Sequence, residues 1–234
     1  MRLPSLKSQI VLILITLAVI SQPAWADKRD WLLTYPYWTE SKGEFEVEEW
    51  HNAGDSIKET PEERIEFEYG ISNRLSSSIY VVRQAGSLQN LGWQFENRYR
   101  LAEPGTFFVD PAIYLEYRNN SPVGQPGELE GKLILQKYVG NLALATNLVF
   151  EKTLGGDNTS VRFDRFHVAT AYPLTPTSLD GGVEFTRYLG AQVTSVTPGL
   201  YGSLTEDIRY LIGWEIPVAG NASSRIRTGF SLEF

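Results

Sequence analysis

The sequence predicts an all-β fold in which about twelve antiparallel strands close into a single up-and-down barrel. Apolar and polar residues alternate along one segment after another, and this period of two is typical of a strand whose faces meet different surroundings. The segments are roughly 8 to 12 residues long, close to the length that a tilted strand needs to cross a membrane. Turn residues separate them.

Composition restricts the classes of function. The 234 residues include no Cys and only two His, which excludes a disulfide framework and a thiolate metal site. Hydrophobic residues make up 42% of the chain, as suits a barrel that shows only every second residue to lipid. The net charge of −7 argues against nucleic acid as a partner.

The first 26 residues have the pattern of an export signal. Arg2 and Lys7 precede the apolar run 10–20, and an Ala-Trp-Ala site follows at 24–26. A basic start, a short apolar core and a small-residue site are typical of a signal peptide that is removed on export. We expect cleavage before Asp27, and the alternative is an uncleaved anchor. With no second apolar run, the mature chain could cross a membrane only as a closed barrel.

The segment 27–42 lacks alternation and is rich in aromatic residues. We interpret it as a lead-in at the periplasmic rim of a barrel that spans residues 43–234. In the first strand, 43–50, Phe45 and Val47 alternate with glutamates. The phase slips at Glu49–Trp50, which indicates a β-bulge.

The remaining strands follow the same pattern, most weakly at 181–188 and 192–204. They are expected at 62–70, 75–84, 91–101, 107–119, 128–138, 141–152, 165–172, 181–188, 192–204, 208–216 and 224–234. An even number returns the chain to the side where it began. Connections after even-numbered strands are mostly the tighter ones and are expected in the periplasm. None of the connections is long enough to fill the lumen as a large plug.

Alternation alone does not separate a membrane barrel from a water-soluble β-sandwich or barrel, because the same pattern arises with the two faces exchanged. The export signal, the absence of Cys and aromatic residues near strand ends favour the membrane barrel. We expect these aromatic residues to form interfacial girdles. They are Trp50, Tyr69, Tyr99, Tyr117, Tyr138, Tyr172, Tyr188, Tyr201 and Trp214.

The last segment carries Ile226, Phe230 and Phe234 on its apolar face. It resembles the closing strand of bacterial outer-membrane β-barrels, where a terminal Phe is commonly part of the signal read by the assembly machinery. The resemblance implies that Phe234 is an assembly signal, that the protein lies in the outer membrane, and that its partners are outer-membrane lipid and the barrel assembly machinery.

Several strand-and-turn motifs carry a wider resemblance. They are TYPY at 34–37, KGEFE at 42–46, EFEYGISNRL at 66–75, NRYRL at 97–101 and LQKYVG at 135–140. They are similar to motifs of the outer-membrane barrels grouped with the MetA-pathway phenol-degradation proteins. This resemblance implies a barrel with a transport role, and it supplies neither a substrate nor a binding residue.

Little in the sequence indicates catalysis. Asp164 and His167 are the only acid–His pair, and their spacing puts them on opposite faces of a strand unless a bulge intervenes. His51 lies at the start of a predicted outer loop. We therefore expect no enzyme activity, no catalytic residue, no cofactor and no metal.

The polar faces of the strands are expected to line the lumen. The candidates are Glu44, Glu46, Glu48, Glu66, Glu68, Glu96, Arg98, Arg100, Glu116, Arg118, Glu128, Glu130, Lys132, Arg165, Arg225 and Arg227. Because the first and last strands of a closed barrel are neighbours, the glutamates of the first strand are expected beside Arg225 and Arg227.

An acid-rich wall favours cations, so the function predicted from the sequence is passive transport or uptake of a small solute through a charge-lined lumen. Two alternatives stay open. One is a filled, non-conducting barrel with a structural or interaction role, and the other is a channel with a lateral route for a hydrophobic ligand.

Overall fold

The computed structural model of the protein describes residues 31–54, 61–84, 91–119, 126–155, 160–175 and 179–234. Within these residues twelve strands form one closed barrel, in which each strand pairs antiparallel with the next and β1 pairs with β12. The strands are β1 (Phe45–Gly54), β2 (Glu62–Ser72), β3 (Leu75–Gln84), β4 (Leu91–Arg100), β5 (Asp110–Asn119), β6 (Glu128–Val139), β7 (Leu142–Thr153), β8 (Arg162–Pro173), β9 (Leu179–Tyr188), β10 (Val193–Ser203), β11 (Ile208–Ala219) and β12 (Arg225–Glu233). The predicted fold class and strand number are confirmed. The described residues contain no helix with the length and apolar character needed to span a membrane.

The outer face of the barrel is apolar and the inner face is polar. Ile79 and Leu115 are 53% and 57% exposed, whereas Glu66 and Glu130 are fully buried inside. A water-soluble barrel would place its apolar face inside. The observed arrangement is therefore that of a barrel surrounded by lipid.

The two ends of the barrel differ in their connections. We call the end where β1 begins and β12 ends the near end, and the opposite end the far end. The near end has the two-residue turns 73–74 and 140–141, which agree with the tighter connections predicted after even-numbered strands. It also has the connection 101–109, which is longer than any at the far end. The predicted strand 107–119 begins three residues too early. Phe107 and Phe108 belong to this connection, and both side chains are exposed.

The prediction of a β-bulge at Glu49–Trp50 is wrong. β1 keeps a continuous register with both neighbours, and Trp50 pairs with Gly229 and Arg64. Trp50 fits inside the barrel because Gly229 has no side chain, and a Cβ there would lie 2.5 Å from Cζ3 of the indole. A register shift occurs instead in β8, where Val149 and Phe150 pair with Arg165 and Phe163.

The aromatic girdle is confirmed only in part. Tyr69, Tyr99, Tyr117, Tyr172 and Trp214 face outwards, while Trp50, Tyr138, Tyr188 and Tyr201 face inwards. The face is set by the parity of a position in its strand, and proximity to a strand end does not determine it. The four inward-facing aromatic side chains occupy the interior of the barrel instead.

Residues 31–40 lie inside the barrel, which differs from the rim position expected for the lead-in. We call them the interior segment. Trp31 and Tyr37 are buried almost completely. Space for the segment comes from small residues on the inner face of β7 and β8, namely Ala143, Ala145, Ala169 and Ala171, which pack with Trp31 in one buried cluster. Alternation describes strands only, so it could not place a segment that precedes them.

Candidate functional site: the barrel interior

A buried carboxylate holds the tip of the interior segment. Glu184 of β9 accepts hydrogen bonds from the backbone N–H groups of Leu32, Leu33 and Thr34 at 2.7, 2.9 and 2.7 Å. It also accepts one from the Thr34 hydroxyl at 2.8 Å. A carboxylate offers about four acceptor positions, so these four donors satisfy it.

Two side-chain amides bind the next part of the segment. Asn147 of β7 accepts from the Tyr35 backbone N–H at 2.6 Å and donates to the Tyr35 carbonyl at 3.0 Å. Gln136 of β6 accepts from the Tyr37 backbone N–H at 2.6 Å. The segment is not in a sheet, so these side chains take the place of a neighbouring strand for its buried polar groups.

Aromatic rings of the segment lie against cations of the wall. The ammonium of Lys132 is 3.5 Å from the ring centres of Tyr35 and Tyr114, and the guanidinium of Arg100 is 5.6 Å from the centre of the Tyr37 ring. Burial raises the pKa of the Tyr37 hydroxyl, with Arg100 acting in the opposite direction. The hydroxyl stays protonated and donates to the carbonyl of Ala102.

Leu32 occupies space left by a glycine. A Cβ at Gly213 of β11 would overlap Cδ1 of Leu32 and would lie 2.9 Å from the carbonyl oxygen of Pro198. The wall and the segment are therefore complementary in shape as well as in hydrogen bonding.

Carboxylates converge where the interior segment joins β1. Oxygens of Glu40, Glu46 and Glu68 lie within 4.8 Å of one another, as do those of Glu40, Glu44 and Glu233. Arg98 pairs with Glu68 at 2.5 Å, which offsets part of the repulsion. The sequence pattern did not predict this grouping, because the segment and the strands meet only in the folded barrel.

An open chamber of about 280 Å³ lies between the interior segment and the far end. Leu32, Leu33 and Tyr35 form its floor. Among the described residues its charged lining consists of Arg64, Arg118, Lys132, Arg165, Arg225 and Arg227 with Glu116 and Glu130. The wall of the chamber is thus predominantly basic.

A network of ion pairs fixes one side of this chamber. Glu130 is paired with Arg118, with Arg165 at 2.5 Å and with Lys132 at 2.8 Å. Arg165 also pairs with Glu151 at 2.6 Å, and Glu116 pairs with Arg118. Strands β5 to β8 are joined in this way across the inner face.

The structure places the sixteen predicted lumen residues on the inner face or at its ends. Nine are buried: Glu48, Glu66, Glu68, Glu96, Arg98, Arg100, Glu116, Glu130 and Lys132. Glu44, Glu46, Arg118, Glu128, Arg165 and Arg227 are half-buried, and Arg225 is exposed at the far end.

The predicted grouping of the β1 glutamates with Arg225 and Arg227 is wrong. β1 and β12 are neighbours, but Arg227 lies opposite Asn52 and Arg225 opposite Gly54, away from the glutamates of β1. Antiparallel pairing sets the start of β12 against the end of β1. Arg227 instead pairs with Glu215 at 2.7 Å and donates to Asn52 at 2.7 Å.

Selection by charge missed the residues that hold the interior segment. Asn147 and Gln136 are neutral, and Glu184 belongs to a strand whose alternation is weak. Their inward parity within β6, β7 and β9 is a signal that could have found them.

Among the residues that the structure describes, neither histidine pairs with an acid inside the barrel. His167 lies in the chamber wall with Nδ1 2.8 Å from Oγ1 of Thr186. The register shift in β8 turns Asp164 towards Arg162 and Arg165, which it contacts at 3.4 and 2.7 Å. His51 lies on the outer face of β1, 3.3 Å from Glu49, and not in a loop.

A closed antiparallel sheet with an apolar outside and a charged inside defines the chain as a transmembrane β-barrel. Its fold is that of outer-membrane porins. The KdgM porin in complex with disordered oligogalacturonate is similar with a TM-score of 0.62 and 13% identity over 81% of this chain and 99% of that chain.

Two further solved structures share the fold. The NanC porin has a TM-score of 0.55 and 13% identity over 80% of this chain and 98% of its own. An outer-membrane channel from Pseudomonas putida F1 has a TM-score of 0.56 and 13% identity over 90% of this chain and 100% of its own. No protein-family model matches the sequence, and no curated protein matches it. The resemblance to the phenol-degradation group stays a prediction.

Proposed function

We propose that the protein is an outer-membrane channel for passive passage or uptake of a small solute, and that the interior segment closes it in the conformation described above. The observation that carries the proposal is the charged chamber, which reaches from the far end to the interior segment. The porin fold and the apolar outer face support it. Passage through a barrel requires no chemical step, so neither an enzyme activity nor a cofactor is part of the proposal.

We also propose how the barrel is oriented in the outer membrane. Residues 1–26 direct export and are removed, the near end faces the periplasm, and Phe234 serves as the signal for the assembly machinery. The two-residue turns at 73–74 and 140–141 support this orientation, because short turns are periplasmic in such barrels.

Opening requires the interior segment to leave its contacts. Its hydrogen bonds to Glu184 are bonds to a charged group, worth about 1.5–3 kcal/mol each, and those to Asn147 and Gln136 about 0.5–1.5 kcal/mol each. These values already allow for replacement of the bonds by water. Opening by thermal fluctuation is therefore rare.

A second candidate function is a filled, non-conducting barrel with a structural or interaction role. Its support is the near-complete burial of Trp31 and Tyr37, which are packed as tightly as core residues. In this case the interior segment would be a permanent part of the core.

The conductance of refolded residues 27–234 in a planar bilayer separates the two candidates. Glu184→Ala leaves three backbone N–H groups inside the barrel without their acceptor. A loss of about 1.4 kcal/mol from the closed state already shifts the equilibrium tenfold. We expect rare openings in the parent protein and at least a tenfold higher open probability in the variant. Glu206→Ala, in the exposed connection between β10 and β11, is the control and should behave like the parent.

Both proteins must first show heat-modifiable gel mobility, which reports a folded barrel. If both are folded and neither conducts, the channel proposal is wrong and the filled barrel stands.

A further inference from the structure

We propose that the far-end chamber binds a small solute through an oxyanion group, either a carboxylate or a phosphate. This inference deepens the proposed function, on which it rests for the idea that the bound solute is the one that passes. The sign of the charge is opposite to the cation preference expected from the many glutamates in the sequence.

The first support is that two arginines of the wall are more exposed to the chamber than the carboxylates they pair with. The side chain of Arg118 is 19% exposed and its partner Glu116 only 2%, while Arg165 is 15% exposed and its partner Glu130 is fully buried. In these two pairs the cation faces the water of the chamber and the carboxylate lies behind it. A solute in the chamber is therefore closer to positive than to negative charge.

The second support is the supply of donors. A guanidinium carries five N–H donors in a rigid fork. Arg227 uses three of them on Glu215 and Asn52, and Arg64 uses Nε on Glu62. Arginines that are already held by a carboxylate can therefore still offer a paired set of donors to an oxyanion.

The third support is preorganisation. Ion pairs hold Arg118 and Arg165 in place on β5 and β8, and Arg227 is held in the same way on β12. Binding then requires little further ordering of side chains, which lowers its entropic cost. The basic residues form two arcs of the wall, one on β5 to β8 and one on β2 and β12, so that a solute between them is approached from both sides.

The test is equilibrium binding to the refolded protein in detergent. Citrate and inorganic phosphate are titrated by calorimetry at low ionic strength, where screening is weak, with choline and glycerol as the cationic and neutral probes. We expect heat of binding for citrate, phosphate or both, and none for choline or glycerol. Citrate alone would assign the site to carboxylates and phosphate alone to phosphates.

The variant that tests the location is the double substitution Arg64→Gln and Arg225→Gln, at the chamber wall and rim. The carboxylate that loses Arg64 is Glu62, which is about one third exposed. We expect at least fivefold weaker anion binding. The matched control is Arg74→Gln, which removes a cation of the near-end turn paired with Glu103 and should leave binding unchanged. Equal affinity in all three proteins, or binding of choline in preference to both anions, would overturn the inference.

Failure of this inference differs from failure of the proposed function. Anion binding by a barrel that never conducts, even as Glu184→Ala, keeps the chamber as an anion site and rejects the channel. A conducting barrel with cation selectivity and no anion binding keeps the channel and rejects the anion site.

Discussion

At the scale of single residues, glycines decide which large side chains the barrel contains. Gly229 gives room to Trp50, and Gly213 gives room to Leu32. Both glycines lie in strands, where the lack of a side chain normally weakens the sheet. Their presence on the inner face is explained by what lies against them.

Gly213→Ala is expected to displace the tip of the interior segment. The new Cβ would overlap Leu32 and approach the carbonyl oxygen of Pro198, a backbone atom that cannot move aside easily. Overpacking of this kind costs about 1–3 kcal/mol, so the thermal unfolding midpoint should fall. Gly190→Ala is the control, since nothing lies within 4 Å of a Cβ there. Equal midpoints for the two variants would contradict the packing described for Leu32.

At the scale of elements, one carboxylate ties several strands together. Glu130→Gln would leave Arg118, Arg165 and Lys132 sharing a neutral acceptor inside the barrel. Removing one partner of a buried ion pair typically costs about 3–5 kcal/mol. We expect a large drop in the urea midpoint of unfolding from lipid vesicles, whereas Glu103→Gln, which removes an exposed partner of Arg74, should change it little. A small effect of both substitutions would mean that the network adds no stability.

The elements differ in how well the sequence predicts them. Strong alternation located β2, β4 and β6 within one or two residues. It failed for the interior segment, because a chain without regular structure has no period and its position depends on groups such as Glu184 that lie far away in the sequence. It also failed for Trp50, where an apparent change of phase was a large residue facing a glycine.

At the scale of the whole molecule, the apolar outer face should be in contact with lipid. Ile79→Arg puts a charge near the middle of β3 on that face, and a cation at the bilayer midplane costs about 2–4 kcal/mol. We expect a corresponding loss in the free energy of folding into vesicles, measured by urea titration. Leu204→Arg, in the exposed connection after β10, is the control. Similar losses for both would argue against the membrane position of the barrel.

The charge layout of the whole molecule was predictable only in part. Parity assigned the charged residues to the inner face, and the structure places them there. The sequence could not give the depth of each side chain below the surface of the chamber. This depth determines that Arg118 faces the chamber while Glu116 lies behind it. The count of glutamates among the candidates treats every acid equally, so it predicted an acidic wall, whereas the lining of the chamber is predominantly basic.

The contacts of the interior segment also bear on how the molecule acquires its structure. Residues 31–40 come before all twelve strands, yet their partners Gln136, Asn147 and Glu184 are separated from them by 99, 112 and about 150 positions. Contacts between such distant parts of a chain form slowly, and this cradle exists only once β6, β7 and β9 are side by side. The interior segment is therefore expected to settle into the barrel last, after the wall has closed.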